Sequence, residues 1–288
     1  MTTFHEYPVW IPVGDHHIAA IVTLPEGDPR GVVVFTTGGG GSLRSQRFRL
    51  WTRAARGLAE LGVASVRMEY PGVGDSTGVA RIGLGWANLP VDDVVAVAKF
   101  AMSVTGTERL GLCGNCAGAR SSIRAVRSLP ECRSLVLFWL KPLAAVGRPS
   151  RKGLRSAVRL AGRLPAPLKS ALAKVYWKRE SRAGRGVGVA DTLRRAGAGR
   201  DLLLIETKSA LAGEIPAVMK ELQGSSDGDR VEFRPVESTS MQAFQSVSEQ
   251  EMTVETVIEW FDQSFQKISS VETRTPEPSS SAPARGAS

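Results

Sequence analysis

The sequence predicts an α/β protein whose sheet is mostly parallel and carries helices on both faces. Apolar segments of strand length alternate with segments of helical periodicity along most of the 288 residues, and this alternation is typical of βαβ units. One of the apolar segments, 31–35, is a continuous run of the kind found in strands buried on both faces. The composition, 42% hydrophobic and 23% charged, is that of a globular chain with a sizeable core.

The first half of the chain predicts a hairpin followed by strand and helix units. Residues 6–12 and 17–24 alternate in polarity around Gly14 and Asp15, which is the signal of a hairpin. A helix is predicted where apolar residues recur three or four positions apart, and a glycine such as Gly62 ends it. On these criteria the next elements are strand 31–35, helix 48–61, strand 64–70, helix 89–104 and a strand that begins at Leu110.

The second half resumes this alternation after an interruption. Its predicted elements are strand 135–140, strand 201–205, helix 215–222, strand 231–236 and a last helix over 248–265. The chain is therefore divided into a core of two parts, 1–142 and 200–268, an insert over 143–199, and a tail over 269–288. The tail is rich in Ser, Pro and Thr and has few apolar residues, so it is expected to be disordered.

The insert concentrates the positive charge of the chain. The whole sequence carries a net charge of +9, whereas residues 151–200 alone contain fourteen Lys and Arg against two acids. Its segments have amphipathic helical patterns interrupted by prolines and glycines, which predicts a basic helical lid over the strand ends. Such a surface is either simply solvated or attracts an acidic partner, for which an acyl carrier protein, coenzyme A and an anionic membrane surface are candidates.

One motif has the pattern of a reactive site. Gly114, Cys116 and Gly118 form G-x-C-x-G at the junction of a predicted strand and a helix, which is the pattern of a nucleophile elbow with sulfur in place of the usual hydroxyl. Only glycine fits on either side of so tight a turn. A thiol at a helix N-terminus faces free backbone N–H groups and the positive end of the helix dipole, and both favour the thiolate. Packing alone also accounts for a cysteine at such a junction, so the surrounding elements must show whether the motif is a reactive site.

The order of these elements and motifs resembles the α/β-hydrolases from about Ile11 to Phe265. Residues 31–41 resemble the third strand of that family and its oxyanion loop, 45–61 the helix that follows, and 68–78 its D-x-x-G-x-G-x-S loop. The insert stands where the family has its lid. The sequence is similar to the serine-aminopeptidase-like branch and the exosortase-associated hydrolases, while cysteine at the elbow resembles dienelactone hydrolases and polyhydroxyalkanoate synthases. The resemblance implies the α/β-hydrolase fold.

The resemblance also implies acyl transfer, of a thioesterase or acyltransferase type, through a covalent intermediate on Cys116 with a thioester as the acyl donor. Backbone N–H groups of Ala117 and of the loop containing Gly38 and Gly39 would hold the oxyanion, and such donors contribute about 3 kcal/mol to catalysis. Substrate contacts are assigned to residues flanking this site and to an aromatic pair of the insert: Gly40, Asn115, Arg120, Tyr176 and Trp177. Neither a cofactor nor a metal is expected.

The catalytic base of the family is missing from this sequence. Its histidine lies between the last strand and the last helix, but residues 235–245 contain none. The three histidines, His5, His16 and His17, belong to the first hairpin. In the usual strand order 1-2-4-3-5, the first strand lies four spacings, or about 19 Å, from the elbow strand, whereas direct proton transfer needs about 3 Å. A standard triad is therefore not predicted.

Three hypotheses follow from the incomplete triad. A thiolate needs no base to attack a thioester, so Cys116 accepts an acyl group unaided and passes it to an acceptor other than water. In the second hypothesis, Glu206, at the position of the family's acid, or Glu237 acts as a replacement base, unless each is an ordinary surface carboxylate. In the third, the chain has lost catalysis and acts as a binding or scaffolding protein.

Other function classes fit the sequence less well. Cys113 and Cys116 form C-x-x-C, as in thioredoxin-type redox sites, but that motif follows an early strand in a much shorter chain. Few aromatic residues are interleaved with the basic ones, so nucleic-acid binding is not expected. The sequence has no apolar leader, no transmembrane segment and only three cysteines, so a cytoplasmic location is expected.

Overall fold

The computed structural model of the protein describes residues 4–38, 42–80, 89–140, 189–207, 215–225, 230–236 and 244–272. Most of the predicted lid and the end of the tail lie outside these ranges. So do five residues with predicted roles, namely Gly39, Gly40, Tyr176, Trp177 and Glu237.

The described part of the chain contains eight strands and six helices. In chain order they are β1 (Phe4–Val13), β2 (His16–Pro25), β3 (Val32–Thr36), α1 (Leu50–Glu60), β4 (Ala64–Met68), α2 (Val91–Thr105), β5 (Leu110–Asn115), α3 (Ala117–Ala125), β6 (Cys132–Phe138), α4 (Val189–Gly197), β7 (Asp201–Thr207), α5 (Ile215–Ser225), β8 (Val231–Val236) and α6 (Val247–Glu272). Single 3-10 turns precede α1, at Arg47–Arg49, and follow α3, at Val126–Ser128.

All eight strands form one sheet in the order β1-β2-β4-β3-β5-β6-β7-β8. The first two strands pair antiparallel with each other, and β2 pairs antiparallel with β4. Every neighbouring pair from β4 to β8 is parallel. The predicted order 1-2-4-3-5 is confirmed. Because these strands are parallel, the carboxyl ends of β3, β4, β5, β6 and β7 lie at the same edge of the sheet.

Helices cover both faces of the sheet, as predicted. On one face α2, α3, α4 and α5 enclose a core that includes Val97, Ile123 and Leu193, and on the other α1 and α6 enclose a core that includes Leu58 and Trp260. Both cores draw on the central strands, because successive strand residues point to opposite faces. Helix α4 belongs to the first of these cores although it falls within the predicted insert. None of the described helices is both long and apolar enough to cross a membrane.

Several of the predicted boundaries differ in the structure. Helix α1 starts two residues later than predicted, because Phe48 and Arg49 have positive φ angles of 55° and 57° and interrupt the helical path. Strand β6 starts three residues earlier, at Cys132. Helix α6 continues to Glu272 instead of ending at 265, so residues 269–272, predicted as part of a disordered tail, are helical.

His16 links the β1–β2 hairpin to helix α2. Its Nε2 lies 2.6 Å from Asp93 Oδ1 and its Nδ1 lies 3.2 Å from Asp15 Oδ1. The hydrogen bond to Asp93 and then that to Asp15 raise the pKa of His16 above its usual value of 6.5. A histidine whose pKa is raised on folding stabilises the protein fully below its unfolded pKa, and this contribution is lost as the pH rises through the folded pKa.

We expect the free energy of unfolding in urea to decrease as the pH is raised above 6.5, the unshifted pKa of His16. His16→Gln should remove this part of the pH dependence, because the replacement keeps a hydrogen-bonding side chain but does not titrate. His17→Gln, at the exposed neighbouring position, is the control. A His16→Gln variant with the same slope as the wild type would contradict this assignment.

Candidate functional site

Cys116 stands at the turn between β5 and α3, where the motif predicts a nucleophile. Its backbone angles are φ 54° and ψ −108°, a conformation that costs a residue with a Cβ about 1–3 kcal/mol and is typical of functional sites. Its N–H donates to the carbonyl of Phe138 at 2.9 Å and so fixes the turn against the end of β6. The side chain is partly exposed. Cys116 is thus the least buried of the three cysteines.

The two glycines of the motif are required by close backbone contacts. A Cβ on Gly114 would lie 2.5 Å from the carbonyl carbon of Gly118, and a Cβ on Gly118 would lie 2.6 Å from the carbonyl oxygen of Thr37. The segment that follows β3 thus crosses directly against the first turn of α3. This contact explains the G-x-C-x-G spacing.

The end of β3 is held in place by Thr36. Its Oγ1 donates to the carbonyl of Cys113 at 3.2 Å and lies 3.0 Å from Ser122 Oγ on α3. Its own carbonyl accepts a bond of 3.3 Å from Trp51 Nε1 on α1. These bonds attach the start of the predicted oxyanion loop to β5, α3 and α1, so its position relative to Cys116 is fixed.

The structure brings the described part of the predicted oxyanion site next to the cysteine. Ala117 is the first residue of α3, so its N–H has no acceptor within the helix. Gly38 is buried beside Asn115, and a Cβ on Gly38 would lie 3.8 Å from the Asn115 carbonyl oxygen. Gly38, Asn115, Cys116 and Ala117 therefore lie together at the end of β5.

A buried carboxylate organises the loop that was compared with D-x-x-G-x-G-x-S. Glu69, at the position of the aspartate, is 1% exposed. It accepts a bond of 2.8 Å from the N–H of Asp75 and forms an ion pair of 2.7 Å with Arg44. Arg44 belongs to the loop after β3, so Glu69 joins the loops that follow β3 and β4. The longer acidic side chain thus performs a structural task next to the site.

Arg120 contacts the sulfur of Cys116 directly. Its Nη2 lies 3.3 Å from Cys116 Sγ, and its Nε donates to the Cys116 carbonyl at 3.3 Å. The residue is 5% exposed and lies one helical turn after the cysteine, where side chains at i and i+4 share a face. It was predicted to bind substrate, and the structure places its guanidinium against the thiol.

Tyr70, which follows β4, is a neighbour of the cysteine that the sequence did not single out. The side chain is 1% exposed. Burial raises the pKa of Tyr70 above its usual value, nearby hydroxyls of Ser121 and Thr36 offset part of that rise, and electrostatic interactions with Asp93 and Cys116 add to it. The phenol is therefore protonated at neutral pH. A tyrosine directly after a strand that ends at the site edge is the signal that could have identified it.

The other two cysteines are buried in the interior. Cys113 is fully buried in the core that α1 and α6 cover, and burial raises the pKa of its thiol well above the usual value. Burial also raises the pKa of Cys132, to about 12. Thiol exchange requires a thiolate, so the buried Cys113 is a poor partner for a redox pair with Cys116.

Glu206 is fully buried, at 0% exposure, so its interpretation as a surface carboxylate is wrong. It lies on β7, paired with Pro235 of β8. Strand β6 separates β7 from β5, which puts their backbones about 10 Å apart. The loop in which the family keeps its histidine, 237–243, lies outside the described residues, and the three histidines are on β1 and β2.

Two buried hydrogen-bond donors lie just after the strands on either side of β5. Thr37 Oγ1, just after β3, and Trp139 Nε1, just after β6, belong to side chains that are 1% and 2% exposed. Neither atom has a hydrogen-bond partner among the described residues. An unsatisfied buried donor costs about 1–3 kcal/mol, so each is suited to bind a polar group or water at this edge.

No protein-family model matches the sequence, and no curated protein matches it either. Solved structures do match. The protein Est1E from Butyrivibrio proteoclasticus, solved with ferulic acid bound, is 14% identical with a TM-score of 0.59, over 90% of this chain and 99% of that one. An esterase from Pyrococcus furiosus is 15% identical with a TM-score of 0.57, over 90% of both chains. Dienelactone hydrolase from Anabaena variabilis is 15% identical with a TM-score of 0.53, over 90% and 98%.

At these identities the likeness concerns the fold. Both the strand order of the sheet and the strained turn between β5 and α3 agree with it. The chain adopts the α/β-hydrolase fold.

Proposed function

We propose that this protein is an acyl-transfer enzyme in which Cys116 carries the acyl group as a thioester. One observation carries the proposal: Cys116, a partly exposed residue, stands in a strained turn at the N-terminus of α3, with the guanidinium of Arg120 3.3 Å from its sulfur. A cation and a helix N-terminus both favour the nucleophilic thiolate. The similarity to esterases and to a dienelactone hydrolase supports acyl chemistry on this scaffold.

The chemical step is thiol–thioester exchange. The Cys116 thiolate attacks the carbonyl carbon of the donor, a carbon–sulfur bond forms, and the carbonyl π electrons move to oxygen. Backbone N–H groups of Ala117 and of the Gly38–Gly41 loop stabilise that oxyanion. When the carbonyl re-forms, the donor's carbon–sulfur bond breaks and its thiolate leaves, to be protonated by water. No electrons are gained or lost overall, because one thioester replaces another.

The missing histidine affects the second half of the reaction, in which the acyl group leaves Cys116. Hydrolysis of the acyl-enzyme needs a base to activate water, and none of the three histidines in the sequence lies on a strand next to β5. Transfer to an amine or thiol acceptor is less demanding. We therefore propose that the enzyme passes its acyl group to such an acceptor. The alternative is that Glu206 acts as a replacement base, which would permit hydrolysis as well.

Positive charge around the site favours an anionic donor. Most of the predicted basic lid lies outside the described residues, but the segment 42–53 contains four arginines and no acid, and of these Arg44 is paired with Glu69 and Asp75. Its 3-10 turn, Arg47, Phe48 and Arg49, is exposed and follows the loop compared with the oxyanion loop. A thioester of coenzyme A or of an acidic acyl carrier protein has the negative charge to match.

Incubating the protein with acyl-coenzyme A and acyl-carrier thioesters, followed by intact-mass spectrometry, tests the proposal. The wild type is expected to gain one acyl group, and Cys116→Ala none. Cys132→Ala, which removes a buried thiol far less able to ionise, is the matched control and should be acylated like the wild type. Absence of an adduct with every donor would favour a binding or scaffolding role instead, and an adduct on Cys116→Ala would reject this nucleophile.

A further inference from the structure

Arg120 is placed to act on the sulfur and not merely to fill space. Two of its nitrogens make separate contacts with the same residue, Nη2 with Cys116 Sγ and Nε with the Cys116 carbonyl, both at 3.3 Å. The side chain is 5% exposed, so solvent screens its charge only weakly. The fork of the guanidinium thus fixes the cation beside the sulfur, which a flexible lysine does less well.

We infer that Arg120 is the positioning residue that maintains Cys116 as a thiolate in place of the missing histidine. The inference rests on the proposed function of Cys116 as the nucleophile. A histidine partner would first remove the proton from the thiol and later return a proton to a leaving group. Arginine keeps its proton at any physiological pH and has no acceptor atom. It supplies a permanent positive charge but does not act as a base.

Having arginine in place of a histidine partner affects the formation and the breakdown of the acyl-enzyme differently. Attack on a thioester needs only the thiolate, which Arg120 favours, whereas attack of water on the acyl-enzyme needs a proton acceptor, which Arg120 does not provide. The acyl-enzyme should therefore form readily and persist until an acceptor that is itself nucleophilic arrives. In this way the neighbour of the sulfur selects transfer over hydrolysis.

Alkylation of Cys116 by iodoacetamide at neutral pH tests the inference without any acyl donor. Arg120→Gln retains a hydrogen-bond donor but no charge, and its alkylation is expected to be about tenfold slower or more, because only the thiolate reacts. Arg120→Lys restores the charge without the planar fork and should recover part of the rate. Arg124→Gln, on the exposed side of the same helix, is the matched control, and Cys116→Ser gives the background of the buried thiols.

A second measurement needs no change at position 120. The far-ultraviolet absorbance of thiolate, taken as the difference between wild type and Cys116→Ser at neutral pH, should be present in the folded protein and lost on unfolding in urea. An Arg120→Gln variant that is alkylated as fast as the wild type, a lysine variant as slow as the glutamine variant, or a missing thiolate band would each overturn the inference. These outcomes are independent of whether an acyl adduct forms, so the two proposals can fail separately.

Discussion

Replacing Gly118 by alanine is expected to lower the free energy of unfolding by about 3 kcal/mol or more. The new methyl group would lie 2.6 Å from the Thr37 carbonyl oxygen and 2.7 Å from that of Thr36. Both are backbone atoms, and the bonds of Thr36 to Cys113 and Ser122 hold them in place. Relief of the clash would have to separate β3 from α3. The same movement would pull the oxyanion loop away from Cys116, so its alkylation and acylation should also change.

Urea unfolding followed by circular dichroism measures this effect. Gly224→Ala is the matched control, because no atom of the described residues lies within 4 Å of a Cβ placed there. It lies in helix α5, where alanine is favoured over glycine by about 0.5–1 kcal/mol. The control should therefore be as stable as the wild type or slightly more stable. A Gly118→Ala variant of wild-type stability would show that β3 and α3 are not in the close contact described here.

The fold could be predicted from the sequence because its signals are local. Continuous apolar runs mark the central strands, and the spacing of apolar residues marks the helices, independently of the rest of the chain. Boundaries depend on tertiary contacts and were less accurate. Phe48 and Arg49 adopt left-handed angles that no propensity predicts, and the last turns of α6 extend beyond the apolar pattern.

The sequence predicted the part of the candidate site that lies within one local turn. Gly114, Cys116 and Gly118 are close in sequence, so their spacing carries the geometry of the elbow. The proximity of Tyr70 depends on how β4 lies in the sheet, and the burial of Glu206 depends on what packs around β7. Neither the proximity of Tyr70 nor the burial of Glu206 can be predicted from the residues next to them in the sequence. Arg120 is an intermediate case. Its i+4 spacing on α3 predicts that it lies near Cys116, but only the structure shows the contact with the sulfur.

Glu6→Gln is expected to lower the free energy of unfolding by about 3 kcal/mol, because it leaves a buried arginine without its carboxylate. Glu6 Oε1 accepts a bond of 2.6 Å from Arg67, whose side chain is 6% exposed, and its Oε2 accepts one of 2.6 Å from Arg56. Burial lowers the pKa of Arg67 and Glu6 partly restores it. Burial by itself raises the pKa of Glu6, but Arg56 and Arg67 outweigh that effect, so the pKa of Glu6 falls below its usual 4.5.

A carboxylate with a lowered pKa stabilises the folded state above its unfolded pKa, and this contribution is lost as the pH falls through the folded value. Acid unfolding should therefore be shallower below pH 4.5 in Glu6→Gln than in the wild type. Glu60→Gln, at an exposed position at the end of α1, is the control and should change stability by less than about 0.5 kcal/mol. The double variant Glu6→Gln with Arg67→Met should recover part of the loss, because it removes the unpaired charge as well. Equal losses in the single and double variants would mean that Glu6 acts through packing and not through its charge.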